Sequence, residues 1–223
     1  MKTKIFLSFL TLLFLFNCKK ETDKNVKMKS NSSVQISSEK DSLNTNHISK
    51  KISPSPFTDD HLALENVLVN GNDIILSKAK FGKIYPKHDS VKTELWECGS
   101  AFDWLDKEWM EKTYGKDLVN FDGKITTFYV NHAEFNSDNH IILFSQAQAD
   151  KNDFEIKSHH ITLNKNTTIN KFQKLFPKLK KDETDQKNVV SFRIPVAKDG
   201  EDSFIFYFKD GKLESFYLWW LLC

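Results

Sequence analysis

Hydrophobic and polar positions follow three regimes along the chain. Ile5 to Phe16 is a 12-residue apolar run, softened only by Ser8 and Thr11. It is too short to cross a bilayer core as a helix, which takes about 20 residues. With Lys2 and Lys4 ahead of it, it has the form of an export signal over residues 1–17. The next stretch, to Pro56, has no aromatic residue and is rich in Lys, Ser, Asn and Thr. Such a composition buries too little apolar surface to offset its ordering entropy, so residues 18–56 are expected to form a disordered tether. From Phe57 the aromatic residues return, and periodic patterns begin.

In the body, Ile169, Phe172 and Phe176 recur at helical spacing, with Asn166 or Thr167 placed to cap the helix and Pro177 to stop it. A shorter helix is expected around Ala79–Tyr85. Asp122-Gly123 and Asp210-Gly211 predict hairpins, because a type I′ turn needs two residues tolerant of positive φ. Leu118–Phe121 and Lys124–Val130 flank the first, and Ser203–Phe208 and Lys212–Trp220 the second. Further strands are expected at Ile74–Lys78, Ile141–Gln146, Ile161–Lys165 and Val189–Val196. The last hairpin strand is apolar on both faces, with Phe216, Leu218 and Trp220 alternating with Leu213, Tyr217 and Trp219. One face should pack under helices. The other needs a sister module, the tether or a partner.

Two segments recur in order. Phe81-Gly82-Lys83-Ile84-Tyr85-Pro86-Lys87 matches Phe172-Gln173-Lys174-Leu175-Phe176-Pro177-Lys178, and Asp122–Val130 parallels Asp210–Leu218, at offsets of 91 and 88 residues. This predicts an α+β fold of two duplicated helix-plus-antiparallel-sheet modules, at 57–150 and 151–223. The plan resembles the tandem modules of beta-lactamase inhibitor proteins and the single module of BamE-type outer-membrane assembly lipoproteins. That resemblance is one of topology over residues 74–220, and it implies no functional residue.

The apolar run ends at Leu15-Phe16-Asn17-Cys18, followed at once by Lys19-Lys20-Glu21. This resembles the bacterial lipobox. The resemblance implies cleavage before Cys18, acylation of its thiol and new amine, and a stable lipid anchor. Phe16 and Asn17 depart from the small residues usual there. In that family Asp after the cysteine favours inner-membrane retention, so Lys19 implies the outer membrane, on either face. An ordinary secretory signal with an incidental cysteine is the other reading.

Charge divides the chain again. Residues 19–51 hold eight lysines and four acids, a net of +4, whereas residues 56–223 hold 22 basic and 26 acidic side chains, a net of −4. A basic tether can lean on anionic headgroups. An acidic body whose single arginine is Arg193 is a poor reader of nucleic acid. Cys98 and Cys223 remain once Cys18 is lipidated. In an oxidising compartment they can form a disulfide, or stay as separate thiols.

Candidate chemistry is sparse. Cys98-Gly99-Ser100-Ala101-Phe102 resembles the papain-type C-G-[SA]-C-[WY] stretch, but Ala101 stands where that family has its nucleophile. Ser100 and Asp103 fit a capping box, opening a helix with the apolar stripe Phe102, Leu105, Trp109 and Met110. Trp96, Trp104 and Trp109 are candidate partner-binding residues, since tryptophan is enriched at interface hot spots; core packing is the alternative for each. His132, Glu134 and His140, with His159-His160 in reserve, are the candidates for a metal, although solvated loop histidines are the default and no tight ligand spacing is present. No phosphate loop, dinucleotide fingerprint or nucleophile elbow occurs. The expectation is a non-enzymatic envelope lipoprotein without cofactor that binds another protein as scaffold, inhibitor or immunity factor. The alternatives are an envelope hydrolase or metal enzyme built on the His/Glu cluster, and a structural spacer.

Overall fold

Short turns with positive φ fold this chain back on itself. Asn70 and Gly71 (φ 52° and 73°) join β1 (Val67–Val69) to β2 (Asn72–Asp73), and Asp210 and Gly211 (φ 50° and 80°) join the last two strands. The computed structural model describes residues 53–97, 108, 111–112 and 122–220, all within a unit spanning Ser49–Cys223. After β3 (Ile75–Ser77) and helix α1 (Lys78–Ile84) come β4 (Ser90–Leu95), β5 (Lys124–Val130), β6 (Ala133–Ser137) and β7 (Ile141–Gln148). Next come β8 (Phe154–Ile156), β9 (Ile161–Leu163) and helix α2 (Ile169–Leu175). The series ends with β10 (Asp182–Glu183), β11 (Val189–Pro195), β12 (Ser203–Lys209) and β13 (Lys212–Trp219).

The pairing is antiparallel throughout the described residues. A small sheet runs β2-β1-β8-β9. A nine-stranded sheet runs β10-β11-β12-β13-β7-β6-β5-β4, with β3 alongside the first half of β7.

The expected α+β plan of two duplicated helix-plus-sheet modules is therefore overturned. The protein is mostly β, in two antiparallel sheets, with two seven-residue α-helices besides the helical residues at 108 and 111–112. The β7–β13 pairing makes one large sheet from both halves of the body. In the first pair of matching segments the two helices are capped alike. Ser77 Oγ accepts from Lys80 N–H and Thr168 Oγ1 from Lys171 N–H, both at 3.2 Å, and both helices end on an aromatic C-cap, Tyr85 or Phe176. The α2 cap is Thr168 rather than Asn166 or Thr167.

The second segment does not hold the same place twice. Lys212–Trp219 is a central strand entered by a tight type I′ turn, whereas Lys124–Val130 lies next to the sheet edge. Of Asp122 and Gly123, only Gly123 has positive φ, and Asp122 Oδ1 instead accepts from Lys124 N–H at 3.0 Å. The strand paired with β5 there is β4, reached through residues 96–123. The expected strand at Leu118–Phe121 lies outside the described residues.

Side chains on one face of the large sheet form the core. Phe192, Phe206 and Phe216 stand in one cross-strand row, and Phe128, Phe135 and Phe144 in another. Helix α2 seats Phe172 against Phe192, Phe206 and Phe208, with ring centroids 4.8–5.3 Å apart. Helix α1 seats Phe81 against Phe128 and Phe135, both at 5.2 Å. The small sheet contributes Phe154, which meets Phe204, Phe206 and Phe216 edge-on. Both helices and the small sheet thus cover the same face, as is common for an antiparallel sheet with one solvated side.

A buried polar node ties the small sheet to the large one. Asn152 Nδ2 donates to the carbonyls of Asn131 and Gln148 at 2.9 and 3.0 Å, while its Oδ1 accepts from Asn70 Nδ2 at 2.8 Å. Leu213 was expected to share a face with Tyr217 and Trp219. A bulge between Tyr207 and Phe208 shifts the register, so Leu213 pairs with Phe208 and joins the core.

Candidate functional site

The opposite face of the large sheet carries a different chemistry. Directly paired residues in antiparallel strands point to the same side. One row therefore runs Arg193, Ile205, Tyr217, Gln146, Glu134, Tyr129, Ser90, from β11 across to β4. The neighbouring row holds Ser191, Tyr207, Ser215 and Gln148.

Aromatic and guanidinium groups pack laterally on this face. Tyr207 and Tyr217 meet edge-to-face at 5.2 Å, and the Arg193 guanidinium lies 4.8 Å from the Trp219 ring centre. Trp219 is 37% exposed, yet Ile205, between Arg193 and Tyr217 in the row, is only 6% exposed. The tyrosine rings are half-buried. Their apolar bodies are covered by neighbours while part of each ring meets water, the arrangement in which Tyr and Trp serve binding surfaces.

Two shallow pockets open on this face. One, of about 280 Å³, is lined by Asp89, Tyr129, His132, Glu134, Gln146 and Gln148, together with the apolar Val130, Ala133 and Ala147. The other, of about 260 Å³, is lined by Gln186, Val189, Tyr207, Glu214, Ser215 and Tyr217. They adjoin at the β7–β13 seam, where Gln146 pairs with Tyr217 and Gln148 with Ser215. Their charged side chains are Asp89, Glu134 and Glu214, with no Lys or Arg among the lining residues. The pockets therefore suit neutral or cationic groups better than anions.

The histidine candidates are partly brought together. His132 sits in the β5–β6 turn with φ 61°, and its Nδ1 lies 3.3 Å from Asp150 Oδ1. Glu134 lines the same pocket. His140 lies in the β6–β7 turn, at the far end of β6, about 17 Å away at 3.4 Å per residue. His159 packs on Phe57 at 4.9 Å, near the small sheet. Among the described residues no group of three His, Cys, Asp or Glu side chains is close enough to hold a metal ion.

Of the tryptophan candidates, Trp96 is half-buried against the core, and its indole N–H is buried without a hydrogen-bond partner. Trp104 and Trp109 lie outside the described residues, as do Cys18, Cys98 and Cys223.

Tyr207 and Arg193 were not singled out as site residues from sequence. The available signal was the alternation of Val190, Phe192 and Ile194 with Ser191 and Arg193, and of Phe204, Phe206 and Phe208 with Ile205 and Tyr207. Among the described residues no helix is long and apolar enough to cross a membrane. Comparison with protein-family models, curated proteins and solved structures finds no match to the chain.

Proposed function

We propose that this chain is a non-enzymatic, lipid-anchored protein of the bacterial outer membrane that binds another envelope protein through the outer face of its large sheet. The observation that carries this reading is the row of Arg193, Tyr217 and Tyr129, flanked by Tyr207 and Trp219, on the side that α1, α2 and the small sheet leave uncovered. Arg, Tyr and Trp are the residues that dominate binding energy at protein interfaces. Anchoring rests on the lipobox-like stretch ending at Cys18.

The test is capture from envelope extract with the wild-type chain and with an Arg193→Ala/Tyr217→Ala variant of equal stability. A stoichiometric partner held by the wild type and lost, by tenfold or more, from the variant is the expected result. A partner retained equally by both would sink the assignment of this face. Cys18→Ser should move the protein from membrane to soluble fractions.

A second reading, an envelope hydrolase, draws on one observation: His132 and Glu134 share a pocket, with Asp150 beside the imidazole. His132→Ala with Glu134→Ala should abolish hydrolytic activity measured on envelope extract, with the circular dichroism of the fold unchanged, if that reading holds.

A further inference from the structure

The large sheet ends in a strand whose outer edge has no strand partner among the described residues. β4 is six residues long, pairs residue for residue with β5, and every one of its residues is exposed. Natural sheets blunt such edges with proline, a bulge or a very short strand. The opposite edge strand, β10, has only two residues. In β4 proline, bulge and shortness are all missing, and the only protection is the charged pair Lys92 and Glu94. Val91 is 51% and Leu95 78% exposed, two of the three large hydrophobic side chains that are exposed among the described residues.

The direction of the free backbone groups follows from the ladder. Trp96 N–H donates to Gly123 O at 2.8 Å, extending the β4–β5 pairing by one residue. Antiparallel alternation then turns the N–H and C=O of Lys92 and Glu94 toward β5, and those of Val91, Thr93 and Leu95 away from it. Thr93 and Thr126 agree with this. Their hydroxyls approach to 3.0 Å, as side chains do in the close, non-hydrogen-bonded kind of pair.

We infer that two copies of this chain join edge to edge through β4, antiparallel, about a two-fold axis at Thr93. In this register Thr93 faces Thr93 of the other copy, Val91 faces Leu95, and Lys92 faces Glu94. The three residues whose backbone groups point outward meet one another, so each facing pair can exchange both of its hydrogen bonds. The side chains match as well. The exposed apolar pair Val91 and Leu95 meets its mirror on one face of the extended sheet. On the other face Lys92 and Glu94, already an ion pair at 2.7 Å within one strand, meet the opposite charge across the axis. A shift of one residue would place Val91 against Glu94 and lose both matches. The contact uses a different surface from the proposed partner face.

Sedimentation velocity of the full-length chain in detergent tests this, with a concentration-dependent dimer expected and a monomer throughout the micromolar range overturning it. Oxidative cross-linking fixes the register. Thr93→Cys should form a linked dimer above the wild-type background, because hydrogen-bonded facing residues have Cα atoms about 5.5 Å apart, within disulfide reach. Ser90→Cys should not, since its two copies would sit about 20 Å apart along the strands. Equal linkage at both positions, or none at 93, defeats the proposed axis.

Thr93→Pro removes a backbone donor that points away from β5, at the cost of one exposed hydroxyl contact with Thr126, so the monomer should stay folded while the dimer is lost. A persistent Thr93→Pro dimer overturns the proposal. Lys92→Glu and Glu94→Lys should each weaken the dimer about tenfold, and the double swap should restore it to about the wild-type value.

Discussion

The two faces of the large sheet are made by alternate residues of the same strands, yet they solve opposite problems. On β12, Phe204, Phe206 and Phe208 face the helices and the small sheet, while Ile205 and Tyr207 face outward. Phenylalanine carries no polar atom that would need a partner in a dry layer. Tyrosine, tryptophan and arginine bury an apolar body and leave a polar end in water. The contrast teaches that aromatic content alone does not mark a core. What separates core from outer face here is whether the ring carries a group that must stay wet.

That contrast can be broken by substitution. Phe172→Ala removes a ring enclosed by four other phenylalanines and should destabilise by about 3–5 kcal/mol, read from the denaturant midpoint. Tyr217→Ala should cost less than about 1.5 kcal/mol in the same assay while weakening partner capture. Equal losses would mean that the outer face is core too.

The polar node is next in size. Asn152→Asp places an acceptor where a donor now serves two carbonyls, so it should cost about 1–3 kcal/mol, more than most surface changes. Exchange of the Asn70 amide should speed up with it.

Tyr85 sharpens the comparison through pH. Burial raises its pKa above the ordinary 10.0, and a hydrogen bond with Asn70 only partly opposes this. A raised folded pKa means that the neutral phenol's contribution is whole below pH 10 and is lost as pH climbs through the folded value. The alkaline unfolding midpoint should therefore shift in Tyr85→Phe, as read by circular dichroism across the pH range.

The smallest effect belongs to the Asp73 pair. Its hydrogen bond with Lys80, helped by Lys157, lowers the carboxyl pKa below 3.8. That contribution is present above pH 3.8 and fades as pH falls through the lower folded value. At half-exposed groups it amounts to no more than about 0.5 kcal/mol, so Lys80→Ala should barely move the midpoint at neutral pH.

Much of the secondary structure was legible, because its signals are local. The alternation in Val189–Pro195, the Asp210-Gly211 turn and the helical spacing of Phe172 and Phe176 all depend on neighbours a few residues away. The architecture was not, because pairing partners are set at a distance. Lys124–Val130 and Lys212–Trp219 read alike, yet one lies near an edge and the other at the centre. Strand β4 was missed because Ser-Val-Lys-Thr-Glu-Leu is polar on one face and sparse on the other, the pattern of a strand that no layer covers. The fate of Leu213 hinged on a bulge, which leaves no mark in a period of two. As for the site, the outward pair Tyr217 and Trp219 was visible as a surplus of apolar surface. Its company of Tyr207, Tyr129 and Arg193 needed the register.

The place of β13 sets a timetable for the molecule. It is the last strand in chain order among the described residues, but it is inserted between β12 and β7 at the middle of the sheet. A chain made from its N-terminus can close the β5–β6–β7 meander early, since those contacts are near in sequence. The second half of β7 then presents an open edge until residues 215–217 arrive some 70 positions later to pair with Gln146, Ala147 and Gln148. Completion of the fold is thus a late event, and until it happens the half-built sheet carries an adhesive edge that a chaperone would have reason to shield.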